Sequence, residues 1–329
     1  MARRGRPPVA PADAGQPARH LSEDEELALA LQVARAYYLD DESKVAIADR
    51  FGITRFQAAR LLTVAREAGM VHIDVRPPGG VDHDLSARLQ SALGVRRAVV
   101  VSSLGAVTPL EVVAGALARE VADVVSAGDV VGLAWSRATI SMINQLTHLE
   151  PCSLVQLGGH VEIAGLPGTV EIVRRAAEIS GGTAYPIYAP LVVQDAHTAA
   201  SLRTQPAISA ALEMFSRLEV AVVSIGGWMP SGSTIFDSSP EPLRRRAAEE
   251  GVVGEISGRL FDRNGQPLPH LLDDQIVGIS LDELRRVPQL LVTSYGAHRA
   301  DATLAAARSG LVKTLVADRA LAEAVLDRA

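Results

Sequence analysis

Three short segments of the sequence carry side chains that suit an anionic ligand. Each follows an apolar run bounded by turn residues, over 130–134, 153–157 and 290–293, and such runs predict buried strands. Ligands of a parallel sheet bind at the carboxyl ends of its strands, where helix N-termini direct backbone N–H groups at anions. The candidate ligand-binding residues at these ends are Trp135, Ser136, Arg137, Ala138, Thr139, Gly158, Gly159 and Arg299.

Each of these assignments has a structural alternative. The pair Gly158 and Gly159 could form only a turn, and Trp135 could belong to the core. Arg137 and Arg299 could be surface charges with no ligand.

A second group of side chains, between residues 43 and 76, suits a nucleic acid. This stretch holds six basic residues and three acidic ones, although the whole chain has a net charge of −6. Residues 1–80 contain eleven of each sign, so residues 81–329 carry the entire acidic excess. A small basic module joined to a larger acidic body is typical of a DNA-binding domain fused to a second domain.

The sequence predicts helices that position these basic residues. Ser22 with Glu25, and Thr54 with Gln57, are spaced as capping boxes that begin helices. We predict a first helix from Ser22, a second over 43–51, and a third from Thr54 through about Glu67, with Gly52 in the turn before it. The first helix is expected to bury Leu27, Ala30, Leu31, Ala34, Tyr37 and Tyr38. With a strand over 71–75 as a wing, these elements predict a winged helix-turn-helix domain over 21–76.

The start of the third helix is the predicted DNA-reading surface. Arginine side chains suit guanine, glutamine suits adenine, and phenylalanine can contact the methyl group of thymine. The predicted base-reading residues are Thr54, Arg55, Phe56, Gln57 and Arg60. Lys44, Arg50 and Arg66 are expected to contact phosphates, which add affinity without sequence information. The alternative is a helical bundle whose arginines are simply solvated.

The remaining chain divides into three parts. Residues 1–20 are rich in Pro, Ala and Arg and read as a disordered tail, and residues 77–81 read as a linker. Within 82–329, apolar runs alternate with helix-length segments, which predicts βαβ units and an α/β domain with a mainly parallel sheet. The predicted strands are 98–101, 130–134, 153–157, 220–225, 290–293 and 314–316.

Composition excludes several classes of protein. No run of about 18 uncharged apolar residues occurs, and prolines follow the arginine-rich start, so we expect neither a membrane span nor an export signal. A cytoplasmic protein is the resulting expectation. Cys152 is the single cysteine, and the histidines and cysteine show no zinc-binding spacing. We therefore predict no disulfide, no metal site and no cofactor.

Blocks along the chain resemble the SorC family of bacterial transcriptional regulators. The N-terminal blocks are 34–39, 47–62 and 65–73, and the later ones are 131–137, 155–159, 189–191, 260–265, 276–284 and 295–302. The order and spacing of these blocks carry the resemblance, which covers about residues 25–325.

This resemblance implies a C-terminal sugar-binding domain related in fold to phosphosugar isomerases, and a tetrameric assembly. It also implies that the segment around Ser136 forms a loop for the phosphate of an effector. Arg299 stands where many relatives carry lysine. Glu255 aligns with an acidic residue that reaches sugar hydroxyls, although it could also be an exposed surface residue.

The sequence and the resemblance together predict a DNA-binding regulator of carbohydrate metabolism rather than an enzyme. Its partners would be double-stranded operator DNA and a sugar or polyol effector, with a phosphorylated one favoured, in a homo-oligomer that is a dimer or a tetramer. The alternatives are a carboxylate-dependent, isomerase-like enzyme fused to a DNA-binding module, and a DNA-binding structural protein without a ligand. Lys44 and Lys313 are the only lysines, which argues against Schiff-base chemistry.

Overall fold

The computed structural model describes residues 22–71, 80–103, 107–161 and 168–329. The chain divides into two compact units between Arg76 and Pro77. The predicted tail over 1–20 lies outside the described residues, as does most of the predicted wing over 71–75 and of the linker over 77–81. Val71 is described and has no regular secondary structure.

The N-terminal unit contains three helices, which begin where the sequence predicts. They are α1 (Glu23–Tyr38), α2 (Lys44–Phe51) and α3 (Arg55–Glu67). Both predicted capping boxes are present, at the starts of α1 and α3. Gly52 ends α2 with φ of 64°, a left-handed conformation that glycine adopts without steric cost.

Small residues hold these helices together. The buried face of α1 contains Ala30, Val33, Ala34 and Ala36, which pack with residues of α2 and α3 in one apolar cluster. The expectation that Leu31 is buried was wrong, because its side chain is 45% exposed. Successive residues of a helix point about 100° apart, so residue 31 points away from the direction of residue 30. Residues 33, 34 and 37 lie on the same side as residue 30 and face the other two helices.

The C-terminal unit alternates strands and helices. Its strands are β1 (Arg97–Val101), β2 (Val130–Leu133), β3 (Ser153–Gln156), β4 (Ala184–Tyr185), β5 (Val220–Gly227), β6 (Val252–Ile256), β7 (Arg259–Asp262), β8 (Gln289–Ser294) and β9 (Thr314–Asp318). Its helices are α4 (His83–Leu93), α5 (Pro109–Val124), α6 (Arg137–Gln145), α7 (Thr169–Ser180), α8 (Ala196–Arg203), α9 (Pro206–Glu213), α10 (Thr234–Ser238), α11 (Glu241–Glu249), α12 (Pro269–Leu272), α13 (Leu281–Arg286), α14 (Ala300–Arg308) and α15 (Arg319–Leu326). Short 3-10 turns occupy Met214–Arg217, Asp273–Gln275 and Ala297–Arg299.

A mainly parallel sheet organises this unit, as predicted. The strands run in the order β1-β9-β8-β5-β2-β3-β4, and every pairing along this path is parallel. The hairpin of β6 and β7 pairs antiparallel with the end of β5. Each of the six predicted strands is present, with its ends shifted by at most two residues.

The order of the strands creates a crevice at the centre of the sheet. From β2 the chain proceeds outward through β3 to β4, whereas from β5 it proceeds outward in the opposite direction through β8 to β9. The switch point therefore lies between β2 and β5, and ligands of such sheets bind beyond the carboxyl ends of the strands at that point.

Apolar clusters lie on the two faces of the sheet and fix its position. One cluster includes residues of α4, α9, α14 and α15, and the other includes residues of α5, α6 and α7. The central strands are buried on both faces, which explains why their sequences are continuous apolar runs rather than alternating patterns. None of the described helices is long and apolar enough to cross a membrane.

Candidate effector pocket and nucleic-acid surface

A pocket occupies the switch point of the sheet. Its empty space, including the part that is open solvent, measures about 890 Å³, and it is formed by the carboxyl ends of β2, β3, β5 and β8 together with the β6–β7 turn. Most of the predicted effector-binding residues line it: Trp135, Ser136, Arg137, Ala138, Gly158, Gly159, Glu255 and Arg299. Thr139 is not among the lining residues and is fully buried.

The start of α6 is organised by a cluster of hydroxyl groups. The Ser136 Oγ accepts a hydrogen bond of 2.9 Å from the Thr139 N–H and lies 2.8 Å from the Thr139 Oγ1. Ser224, within β5, donates its hydroxyl to the same Oγ at 2.8 Å. The Ser136 hydroxyl is therefore occupied in capping the helix. An anion at this end of α6 would be bound by the first backbone N–H groups of the helix.

Arg299 brings a half-buried positive charge to the pocket. Its Nε donates to the Gly232 carbonyl at 3.0 Å, its Nη1 donates to the Tyr295 carbonyl at 2.6 Å, and its Cζ lies 4.7 Å from the centroid of the Tyr295 ring. Burial lowers the pKa of the guanidinium, and the neighbouring positive charge of Arg137 acts in the same direction. An arginine nevertheless stays charged at neutral pH, so two cations face this pocket.

Glu255 supplies a buried carboxylate at the end of β6. Its side chain accepts the Ser233 hydroxyl at 2.8 Å and the Gly258 N–H at 2.8 Å, and the residue is 7% exposed. Burial raises the pKa of this carboxyl, while the two hydrogen bonds and Arg299 oppose the rise. The alternative of an exposed surface carboxylate was therefore wrong. A carboxylate with two such bonds still has lone pairs that could accept from ligand hydroxyls.

The segment after β5 is one part of the pocket that sequence reasoning missed. Ser231, Gly232, Ser233 and Thr234 line the pocket, and the Ser233 hydroxyl also accepts the Ile235 N–H at the start of α10. The signal was present, because this Ser- and Gly-rich stretch follows the longest strand, β5, in the same way that the other three segments follow theirs.

Gly158 and Gly159 form a close backbone crossing rather than a simple turn. Gly158 pairs antiparallel with Gly278, and His160 pairs with Pro190. A Cβ atom on Gly159 would lie 2.3 Å from the Pro190 carbonyl oxygen. Glycine is therefore required at position 159 so that the two chain segments can approach beside the pocket.

Gly159→Ala is expected to destabilise the C-terminal unit by about 2 kcal/mol or more, because rigid backbone blocks the added methyl group. Urea denaturation followed by circular dichroism measures the change. Gly80→Ala is the matched control, because no heavy atom lies within 4 Å of a Cβ placed there. Equal denaturation midpoints for the two variants would contradict the requirement.

The predicted base-reading residues lie at the exposed start of α3. Thr54, Arg55, Phe56, Gln57 and Arg60 are all exposed, and Phe56 is 87% exposed. Exposure of that degree is unusual for a phenylalanine.

Two of these side chains already have partners within the N-terminal unit. The Gln57 Oε1 accepts the Thr54 N–H at 2.8 Å, so this residue completes the cap of α3. Arg60 forms an ion pair with Glu26 of α1. Lys44 is half-buried, with its Nζ 5.4 Å from the centroid of the Tyr37 ring.

A comparison with protein families identifies the C-terminal unit. Residues 80–327 match the Sugar-bind family, described as “Putative sugar-binding domain”. The chain belongs to this family. The resemblance to SorC-family regulators is thereby confirmed, and the matched range contains every residue that lines the pocket.

Several related proteins match this protein over nearly its whole length. The uncharacterized transcriptional regulator YjhU of Escherichia coli (strain K12) is 27% identical over 88% of this chain and 92% of its own length. The transcriptional regulator LsrR of Enterobacter sp. (strain 638) is 28% identical over 93% of this chain and 94% of its own. The full-length sorbitol operon regulator SorC of Klebsiella pneumoniae has the same fold, with a TM-score of 0.67 and 22% identity, covering 93% of this chain and 100% of that one.

The polar groups that line the pocket indicate the chemistry of its ligand. Among the described residues, no cluster of histidine, cysteine, aspartate and glutamate side chains could hold a metal ion. Its polar groups are hydroxyls, backbone N–H groups, two guanidinium groups and carboxylates, a set that suits a hydroxylated anion.

Proposed function

We propose that this protein is a transcriptional regulator whose binding to operator DNA is controlled by a phosphorylated sugar or polyol. The observation that carries the proposal is the pocket at the switch point, where two arginines and a helix N-terminus share one cavity with a buried carboxylate. The match to a sugar-binding family supports this proposal, and so do the two named relatives, which are transcriptional regulators.

The polar groups of the pocket would serve two functions, one for the positively charged groups and one for the carboxylate. Arg137, Arg299 and the first N–H groups of α6 supply positive charge for a phosphate group, and a guanidinium can hold such a group with two parallel hydrogen bonds. Glu255 supplies acceptors for hydroxyl groups. A sugar or polyol phosphate satisfies both functions in a single molecule.

The N-terminal unit is the proposed DNA reader. We assign α2, the turn at Gly52 and α3 to a helix-turn-helix, and most of the predicted wing over 71–75 lies outside the described residues. The exposed start of α3 would enter the major groove, with Arg55, Phe56 and Arg60 toward the bases and Lys44 toward a phosphate.

Control of DNA binding requires an assembly with two states. A helix-turn-helix of this kind reads two half-sites, so the functional unit is a homo-oligomer of at least two subunits, and we propose a dimer or a tetramer. The effector must bind one of the two states more tightly, and a difference of about 1–3 kcal/mol is typical of such coupling. Its place of action is the cytoplasm, where operator DNA lies.

An isomerase-like enzyme is the weaker candidate. Neither lysine lies in the pocket, because Lys44 belongs to α2 and Lys313 donates to the backbone carbonyls of Arg285 and Val287. The carboxylate best placed for proton transfer is Glu255, and both of its oxygens already accept hydrogen bonds from the protein.

A thermal-shift screen tests the proposal. At 100 times its Kd a selective ligand stabilises the folded protein by about 2.7 kcal/mol, which raises the Tm by about 5 °C or more. The compounds are inorganic phosphate, glycerol 3-phosphate, ribitol 5-phosphate, sorbitol 6-phosphate, ribose 5-phosphate and glucose 6-phosphate, each with its unphosphorylated parent. A selective rise without turnover of the compound supports a sensor, whereas turnover would support the enzyme.

A further inference from the structure

Two residues that line the pocket carry a buried hydroxyl group with no hydrogen-bond partner among the described residues. One is the Thr293 Oγ1, at the carboxyl end of β8. Thr293 is fully buried and stands opposite Ser224 in the parallel pairing of β8 with β5. Ser224 has a partner in the Ser136 hydroxyl, whereas Thr293 does not.

The second such hydroxyl is the Ser257 Oγ, in the turn of the β6–β7 hairpin. This two-residue turn has φ of 53° at Ser257 and 81° at Gly258, values that favour asparagine, aspartate or glycine over serine. Three described residues other than glycine have positive φ, and two of them, Ser231 and Ser257, line this pocket. Strained backbone of this kind concentrates at functional sites.

Both features cost folding free energy in the ligand-free protein. A buried hydroxyl without a partner loses its bonds to water and gains none in return, and a serine with positive φ adds steric strain. A native structure retains such groups where they serve another purpose. Three other buried polar atoms also have no partner in the described part of the chain, on Thr169, Trp228 and Asp273, and none of those residues lines the pocket.

We propose that Thr293 and Ser257 determine specificity by forming hydrogen bonds with hydroxyl groups on the carbon chain of the effector. The inference rests on the proposed function and extends it. The ligand is then a phosphate that carries several hydroxyl groups, and inorganic phosphate alone would fill only the positively charged part of the site. A hydroxyl group both donates and accepts, so a polyol chain can satisfy each of the two side chains.

The test uses two substitutions that each remove one hydroxyl group. Thr293→Val keeps the shape of the side chain, and Ser257→Gly also removes the strain. Each variant is expected to have an unchanged or higher Tm without ligand, because an unsatisfied buried group is lost. Each is expected to bind the polyol phosphate that stabilises the wild type most about tenfold more weakly in calorimetry, as loss of one hydrogen bond predicts. The calorimetric series contains glycerol 3-phosphate, ribitol 5-phosphate and sorbitol 6-phosphate.

Thr169→Val is the matched control. Thr169 also has a buried hydroxyl without a partner among the described residues, at the start of α7 and outside the pocket. This variant should bind the same compound as tightly as the wild type does. The affinity for inorganic phosphate should remain unchanged in Thr293→Val and Ser257→Gly, since the arginines are intact.

The possible failures can be told apart. If the wild type binds a polyol phosphate and both pocket variants bind it equally well, the specificity role is wrong and the proposed function stands. A large fall in the ligand-free Tm of Thr293→Val would show that its hydroxyl is structural, which also overturns the inference. A wild type that responds to none of the sugar or polyol phosphates would contradict the proposed function itself.

Discussion

Replacing Arg60 with alanine is expected to weaken binding to operator DNA by about 5- to 150-fold, the range of a lost bidentate contact to a base. Arg60 follows Phe56 by one turn of α3, and both side chains are exposed, so they share the face that would meet the major groove. The loss should also relax sequence preference at one position of each half-site.

The ion pair with Glu26 affects the size of this effect. In the DNA-free protein Arg60 is paired with Glu26, so contact with a base requires the guanidinium to leave that carboxylate or to share it. The Arg60 side chain is 71% exposed, and an ion pair so exposed stabilises by about 1 kcal/mol at most. Glu26→Gln should therefore bind DNA at least as well as the wild type.

The measurement begins with DNA selected from a random library by the full-length wild-type protein. Fluorescence anisotropy at one fixed salt concentration then gives the affinity of each variant for the selected sequence. Arg66→Ala is the matched control on the same helix. If Arg66 contacts a phosphate, Arg66→Ala should lower the affinity for selected and random DNA by the same factor. The variant should also show a weaker dependence of affinity on salt concentration, by the amount of one phosphate contact. Equal sequence preference in the wild type and Arg60→Ala would remove Arg60 from the base-reading surface.

The local elements were predictable because their signals are local. A capping box places Ser22 or Thr54 three residues before its partner, and each element of that signal lies within one helical turn. Buried parallel strands likewise appear as apolar runs such as Val220–Gly227. Both kinds of signal depend on neighbouring residues alone, so no knowledge of the tertiary structure was needed.

Features that depend on distant residues were harder to predict. The β6–β7 hairpin was missed because its strands are short and Gly254 interrupts the first of them, and it exists by pairing with the end of β5. The sequence indicated Ser136 as a phosphate contact. Its cap of α6 is a local contact with Thr139, whereas the bond from Ser224 joins residues 88 positions apart and leaves no local signal in the sequence.

Arg299→Ala is expected to weaken binding of a phosphorylated effector by about 10- to 100-fold and to weaken binding of the unphosphorylated parent much less. A hydrogen bond to a charged group contributes about 1.5–3 kcal/mol, and the half-buried position of Arg299 reduces screening by water. Arg137 would still supply positive charge in this variant, so some phosphate affinity should remain.

The structure also gives Arg299 a second role that the experiment must separate from the first. Two of its five N–H groups donate to the backbone carbonyls of Gly232 and Tyr295, so truncation should loosen the segment after β5 as well as remove charge. Arg299→Lys keeps the charge and loses the planar guanidinium that makes both bonds. It should lower the ligand-free Tm by about as much as the alanine variant while retaining more affinity for the phosphorylated compound.

Calorimetry with sorbitol 6-phosphate and sorbitol, or with whichever pair from the screen stabilises the wild type, separates these contributions. If Arg299 binds phosphate, the alanine substitution reduces the difference in affinity between the two compounds, and lysine restores part of it. If Arg299 only holds the segment after β5, both substitutions weaken both compounds equally. That second result would leave Arg137 and the start of α6 as the phosphate site, because they are the remaining positive groups at the switch point of the sheet.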